Sequence, residues 1–185
     1  MKSKIMPPLV LTVICIVVCG LLVIAHNASH ADKTGVVTPE MKKGCEEIFG
    51  KGDYSMLMKQ DGHEKAPVTF GVKQVDSVIV DKAKKRSLFE LTCDGYAKGG
   101  LHLLIGINDN GSIEGMHFLS VGETPGLGAK AAEKDYTDKF KGLSVESDID
   151  GVDDLTAATY SSKGLKKACE LALETYSVHK GEIFA

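Results

Sequence analysis

The stretch LHLLIGINDNGSIEGMHFLSVGETPGLGAK, residues 101–130, decides the architecture. From residue 101 to 107 every odd-numbered position is apolar, Asn108-Asp109-Asn110-Gly111 is a cluster of turn formers, and residues 112–121 form a second β-rich run. Alternation at period two on either side of a polar, glycine-ended turn specifies an antiparallel hairpin. The glycine-containing segment GETPGLGAK, residues 122–130, then leads from the sheet into a predicted helix over about 129–140.

Upstream of the hairpin, residues 68–72, 77–80 and 88–93 are short β-rich runs separated by glycine and charge clusters, and they are predicted strands. Before them, Thr38-Pro39-Glu40 has the form of a helix start, with threonine as cap and proline at the first helical position. That helix is expected to reach Phe49 and to stop at Gly50 and Gly52. Downstream, residues 164–178 place Leu165, Ala168, Cys169, Ala172 and Tyr176 on one apolar stripe, with Lys166, Lys167, Glu170 and Glu174 largely opposite. The expected fold class is α+β, a mainly antiparallel sheet flanked by helices, with one N-terminal transmembrane helix.

A chain of 185 residues with 43% apolar and 25% charged residues suits one core plus a short appendage. Its net charge of -3 and lysines scattered among carboxylates give no basic patch, so nucleic acid is not an expected partner. Cys15 and Cys19 lie in the apolar N-terminal run, and Cys45, Cys93 and Cys169 form no C-x-x-C pair. A disulfide scaffold is excluded, no metal site is assigned, and Cys169 reads as a packed core thiol. His102 and His117 read as solvent-facing or as partners in cross-strand contacts.

Residues 9–25, LVLTVICIVVCGLLVIA, carry no charge. Such a run just spans a hydrocarbon core of about 30 Å, where unpaired backbone groups enforce a helix even on β-branched residues. Lys2 and Lys4 precede it and no cation follows before Lys33, which orients the C-terminal domain to the outer face of the membrane. The alternative is a cleaved secretory signal, with Ser29-His30-Ala31 as the processing site. The expected organisation is a cytoplasmic tail over 1–8, an anchor over 9–25, a linker over 26–37 and an exported domain over 38–185.

The run DGVDDLTAATYSSKG, residues 150–164, crowds small and hydroxylated residues in front of the last amphipathic helix. A helix N-terminus has unpaired N–H groups and a partial positive charge, threonine and serine add donors, and alanine lets the backbone come close, all of which suits a phosphate. A plain serine cap at Ser161 or Ser162 is the bland alternative. Asp153 and Asp154 read as an acidic turn leading into the helix rather than as a catalytic carboxylate pair.

Asp153, Thr156, Ala158 and Thr159 fit the pattern D-x-x-S/T-G-A-T, and Glu123-Thr124-Pro125-Gly126-Leu127-Gly128 reads E-T-P-G-L-G. In these two elements the chain resembles the FMN-binding subunits found as the G subunit of the Rnf complex and the C subunit of the sodium-translocating NADH:quinone reductase. The resemblance covers about residues 88–178. It implies covalent FMN, held as a phosphoester on Thr159 with Asp153, Thr156, Ala157, Ala158 and Ser161 around the attachment and the 123–128 loop packed about the flavin. One position departs, since Ala157 stands where the family has glycine.

The resemblance further implies an electron-relay subunit of an ion-translocating oxidoreductase working between ferredoxin and NAD. Its partners would be the other integral and peripheral subunits, a flavin transferase would mature it, and the isolated chain would have no complete activity. No G-x-G-x-x-G or Walker-type lysine motif is present, so neither a Rossmann nor a P-loop site is expected. A non-catalytic FMN-binding sensor or scaffold at the membrane is the alternative function.

Overall fold

The computed structural model describes residues 11–12, 14–23, 35–61 and 64–185. The chain divides into two compact units, Met1–Lys33 and Thr34–Ala185. In the first, residues 11–12 and 14–23 are helical, and Leu11, Leu21 and Leu22 expose their apolar side chains. Among the described residues no helix is long and apolar enough to cross a membrane. The remainder of the expected anchor over 9–25, the tail over 1–8 and the linker as far as residue 34 lie outside the described residues.

The second unit opens with helix α1, Pro39–Phe49. Its start and end are those expected: the Met41 N–H donates to Thr38 Oγ1 at 3.2 Å, and Gly50 leaves the helix at φ 76°. Among the described residues seven strands follow, β1 (Ser55–Met56), β2 (Met58–Asp61), β3 (Glu64–Pro67), β4 (Val75–Asp81), β5 (Arg86–Cys93), β6 (Leu101–Ile107) and β7 (Ile113–Val121). The five-stranded sheet runs β1-β4-β5-β6-β7 with antiparallel neighbours throughout, and β2 pairs with β3 as a separate hairpin. Short helix α2 (Lys134–Thr137) and the long helix α3 (Thr159–Ile183) complete the domain.

Period-two alternation divides the side chains between two faces of the sheet. Leu101, Leu103, Ile105 and Ile107 of β6 join Val78, Phe89 and Leu91 in the main core beneath α3, whose stripe Leu165, Ala168, Cys169, Ala172 and Tyr176 is buried against them. On the other face Ile79, Leu88 and Leu104 meet Cys45 of α1. Helix α1 sits close to the strands because Gly106 has no side chain: a Cβ there would lie 2.5 Å from Ile48 Cγ2 and 2.8 Å from Phe49 Cε2.

Four expectations are corrected. Residues 68–72 are not a strand, because Phe70 and Gly71 take successive positive φ angles of 51° and 77° and turn the chain. The helix expected over 129–140 is broken into a 3₁₀ turn (Gly128–Ala132), α2 and a second 3₁₀ turn (Asp138–Phe140). Ala131 and Tyr136 are both buried, yet residues five apart lie on different sides of a continuous helix; the extended Glu133 between them turns both inward. The last helix starts at Thr159 and ends at Ile183, five residues longer than expected at each end. Lys166, placed opposite the apolar stripe by periodicity, is buried.

Both strand histidines find partners. His117 Nδ1 lies 2.7 Å from Glu47 of α1, and His102 Nε2 lies 3.0 Å from the buried Glu90, which also accepts the Ser77 hydroxyl at 2.5 Å. The hydrogen bond to Glu90 raises the His102 pKa above its ordinary 6.5, with burial opposing and the Glu90, Asp76 and Glu40 charges assisting. A His pKa raised on folding contributes stability that is fully present below the unfolded pKa and is lost as pH rises through the folded one. Unfolding free energy is therefore expected to fall as pH rises from 6.5, and His102→Asn should flatten that slope in urea titrations across the window. Gly106→Ala is expected to cost about 1–3 kcal/mol by overpacking, measured by the same titration at one pH.

Candidate functional site

The segment from Asp150 to Ala158 is held by helix residues one turn apart. Ser162 Oγ accepts the Leu155 N–H at 2.9 Å, and Lys166 Nζ reaches Asp154 Oδ1 at 2.7 Å and the Asp150 carbonyl at 3.0 Å. Positions i and i+4 share a face of α3, so the two grips lie in line along the segment. Burial pushes the Lys166 pKa down, but its hydrogen bond and attraction to Asp154 carry it above the ordinary lysine value, so the ammonium stays protonated. Ser162 is thus a tether for the preceding loop and not the N-cap.

The N-cap position belongs to Ala158, whose methyl side chain makes no capping hydrogen bond. The first turn of the 25-residue α3 therefore offers its N–H groups, with the positive end of the helix dipole, to an outside acceptor. Thr159 is the first residue of that helix and is exposed, as are Asp153 and Thr156, while Ala158 is buried. Neighbouring Tyr160 is 70% exposed and meets Tyr96, 77% exposed, edge to face at 6.3 Å between ring centroids. A phosphate carried on Thr159 and a flat ring system beside it fit this combination of uncapped helix turn and exposed aromatic rings.

In the 123–128 loop, Thr124, Pro125, Gly126 and Leu127 are exposed, while Glu123 and Gly128 are buried. The loop curls on itself, since the Thr124 carbonyl accepts the N–H groups of Leu127 and Ala129 at 3.2 and 3.1 Å. Glu123 turns inward and accepts the Tyr96 N–H at 3.1 Å, the Ala97 N–H at 3.0 Å and the Ser161 hydroxyl. Tertiary structure thus brings together the two motifs separated in sequence, Glu123–Gly128 with Thr156–Ser161. It adds residues that sequence reading missed: Tyr96 and Ala97 in the turn between β5 and β6, Tyr160, Ser162 and Lys166. The glycine cluster Gly95, Gly99 and Gly100 was the available signal for that turn.

Helix α3 approaches the same turn closely through Gly164, where a Cβ would collide with the Asp94 carbonyl oxygen. The thiols play no part here: Cys45, Cys93 and Cys169 are all buried and free, and burial pushes Cys93 up to about 11 and Cys169 higher still. Thiolate chemistry at neutral pH is thereby suppressed. Among the described residues no group of three or more His, Cys, Asp or Glu is placed to hold a metal.

Ala157, the one departure from the flavinylation pattern, has φ 61°. This is the left-handed region that glycine enters without penalty and alanine does not. The backbone keeps the turn a glycine would make, and the alanine methyl strains it. Ala157→Gly is expected to raise stability by up to about 1 kcal/mol, the relief of left-handed strain being partly offset by the greater freedom of the unfolded chain. Urea titration of the paired proteins checks this; a glycine variant less stable by the full entropic cost of glycine would refute the strain.

Residues 95–174 match the family model of the FMN-binding domain. The chain is 34% identical over 104 residues to the G subunit of the ion-translocating oxidoreductase complex of Shewanella piezotolerans, covering 50% of this chain and 49% of that protein. It is 28% identical over 115 residues to the G subunit of the proton-translocating ferredoxin:NAD(+) oxidoreductase complex of Clostridium ljungdahlii, covering 57% and 62%. It is 27% identical over 184 residues to the G subunit of the ion-translocating oxidoreductase complex of Methanosarcina acetivorans, covering 92% and 93%. The match to the Shewanella protein spans about half of that relative's length. A solved structure of the C subunit of the Na(+)-translocating NADH-quinone reductase from Parabacteroides distasonis overlaps with a TM-score of 0.43 and 21% identity, covering 66% of this chain and 75% of that one. The uncapped helix start at Thr159 and the loop fastened to it by Glu123 both fall inside residues 95–174, which match the FMN-binding domain, and the chain is similar to the G subunits of ion-translocating oxidoreductase complexes.

Proposed function

We propose that this chain is an electron-relay subunit of a membrane ion-translocating oxidoreductase of the Rnf type and carries FMN as a phosphoester on Thr159. The observation that carries the reading is the position of Thr159: exposed, at the first residue of an uncapped 25-residue helix, at the end of the D-x-x-T-A-A-T run and inside the FMN-binding match. Condensation of Thr159 Oγ1 with the FMN phosphate would leave the phosphate oxygens facing the free N–H groups of the first helical turn. Those groups stabilise an anion without needing a lysine or arginine.

FMN when bound supplies the electron chemistry, and the protein supplies attachment, orientation and the surrounding charges. Here Ser162 and Lys166 hold the segment before Thr159, while Tyr96, Tyr160 and Leu127 offer exposed apolar surface for the ring. An ester bond keeps the cofactor on a domain lying outside the cell, where free FMN would be lost by dilution. The uncharged run 9–25, of which residues 11–12 and 14–23 are helical, supports a single-pass anchor with the domain on the outer face. The chain contains no recognisable nicotinamide or iron–sulfur motif, so transfer between ferredoxin and NAD would require the other integral and peripheral subunits, and a flavin transferase would install the ester.

Intact-protein mass spectrometry with peptide mapping, after co-expression with a flavin transferase, tests the assignment. The expected result is a gain equal to FMN minus water, mapped to Thr159 and abolished by Thr159→Ala. An unmodified Thr159 in that preparation and in protein from native membranes overturns it and leaves a non-covalent sensor or scaffold as the reading. The isolated flavinylated chain is expected to oxidise no NADH in a stopped-flow assay of flavin bleaching.

A further inference from the structure

Glu123 is only 5% exposed, although its four neighbours in the loop, Thr124 to Leu127, face solvent. Its two carboxylate oxygens are both occupied: Oε1 accepts the Ala97 N–H at 3.0 Å, and Oε2 accepts the Tyr96 N–H at 3.1 Å together with the Ser161 hydroxyl. Glycines wall this cell. A Cβ on Gly95 would lie 2.6 Å from Oε1, one on Gly128 would lie 2.6 Å from Oε2, and one on Gly100 would collide with Oε1. The carboxylate is thus enclosed by the chain itself, and no lysine or arginine is among its hydrogen-bond partners.

A buried carboxylate is tolerable only when fully hydrogen-bonded, and hydrogen bonds to a charged acceptor are the strong kind. This one takes its donors from two separate elements while being anchored in a third. The turn after β5 contributes the N–H groups of Tyr96 and Ala97, the first turn of α3 contributes Ser161, and the loop after β7 contributes the glutamate itself. Each of these elements also presents one exposed apolar side chain at the site: Tyr96, Tyr160 and Leu127, with exposures of 77%, 70% and 45%.

We propose that Glu123 is a positioning residue, a buried clamp that fixes the turn at Tyr96, the loop at Leu127 and the helix start at Thr159 relative to one another, so that the attached flavin ring is held in one orientation. The role rests on the assignment of FMN to Thr159. It differs from packing around the flavin, because the carboxylate acts through backbone N–H groups and a serine hydroxyl and does not touch the ring.

The test uses the full chain with Glu123→Gln and, as the milder change, Ser161→Ala. Glutamine keeps the size but puts an NH₂ donor where an oxygen now accepts, so at least one backbone donor loses its partner. Amide hydrogen exchange is measured in a Thr159→Ala background, which cannot carry the ester. Loss of a charge-assisted bond predicts exchange at least about tenfold faster at 95–97, 124–128 and 159–162, with the β5 and β6 core amides unchanged. In the flavinylated proteins the visible circular dichroism and the fluorescence anisotropy of the flavin are expected to fall while the mass of the adduct on Thr159 is retained. Ser161→Ala should move both readouts in the same direction by less, and it decides the matter if Glu123→Gln does not fold.

Exchange that rises equally across the sheet marks a merely structural residue and overturns the proposal. So does unchanged exchange in these segments, or an unchanged flavin signal in a variant whose segments have loosened. A wild-type chain without flavin overturns the flavin assignment instead, and the exchange measurement still decides whether the clamp exists, so the two failures are distinguishable.

Discussion

One surface of helix α3 has to serve both the core and the site. Below its first turn and a half, Leu165, Ala168, Cys169, Ala172 and Tyr176 lie in the main core against β5 and β6. At its start the buried residues are polar: Ser161 bonds Glu123, Ser162 bonds the Leu155 N–H, and Lys166 bonds Asp154 and the Asp150 carbonyl. The seating of this helix is set by close packing, including the absent side chain of Gly164 beside the Asp94 carbonyl. A shift of the helix would open the core and release the loop and the clamp together. Dense interiors resist such shifts, which makes the helix start a rigid place from which to display an exposed threonine.

Electrostatics around the helix start follow a division of labour. The Lys166 ammonium and the Asp154 carboxylate form a pair that ties the loop down. The Glu123 carboxylate is compensated by N–H and hydroxyl donors without a cation. The outermost N–H groups of the first turn lack a side-chain cap because Ala158 has none to offer. An uncapped start forgoes a contribution of about 1 kcal/mol, and a phosphate on Thr159 would return it. The positive φ of Ala157 is a second local cost in the same segment, and strain of this kind persists where the surroundings over-determine the backbone.

The opposite face of the sheet carries a second polar arrangement of different character. Glu90, Ser77 and His102 form a bonded set that crosses three adjacent strands, while α1 covers the neighbouring apolar patch of Ile79, Leu88 and Leu104. This set satisfies a buried carboxylate with one hydroxyl and one imidazole, and so links the stability of the sheet to pH through His102.

Much of the fold was legible locally. Thr38, Pro39 and Gly50 mark the bounds of α1, and the alternation in residues 101–107 with the Asn108–Gly111 turn marks the β6–β7 hairpin, because caps, turns and period-two burial depend only on near neighbours. The two motifs were also legible, as was the anomaly at Ala157. What the residues alone left open was decided by contacts between distant segments. The break at Glu133 arises because Ala131 and Tyr136 must both reach one core, and Lys166 is buried because Asp154 and the Asp150 carbonyl wait for it. Helix α3 begins at Thr159 because the loop before it is tied to Ser162 and Lys166, and the inward turn of Glu123 requires donors from Tyr96, Ala97 and Ser161. The sequence by itself determined that small and hydroxylated residues crowd in front of the last helix; only the tertiary structure decided their spacing, because hydrogen bonds between remote segments form only once the core has fixed where those segments lie.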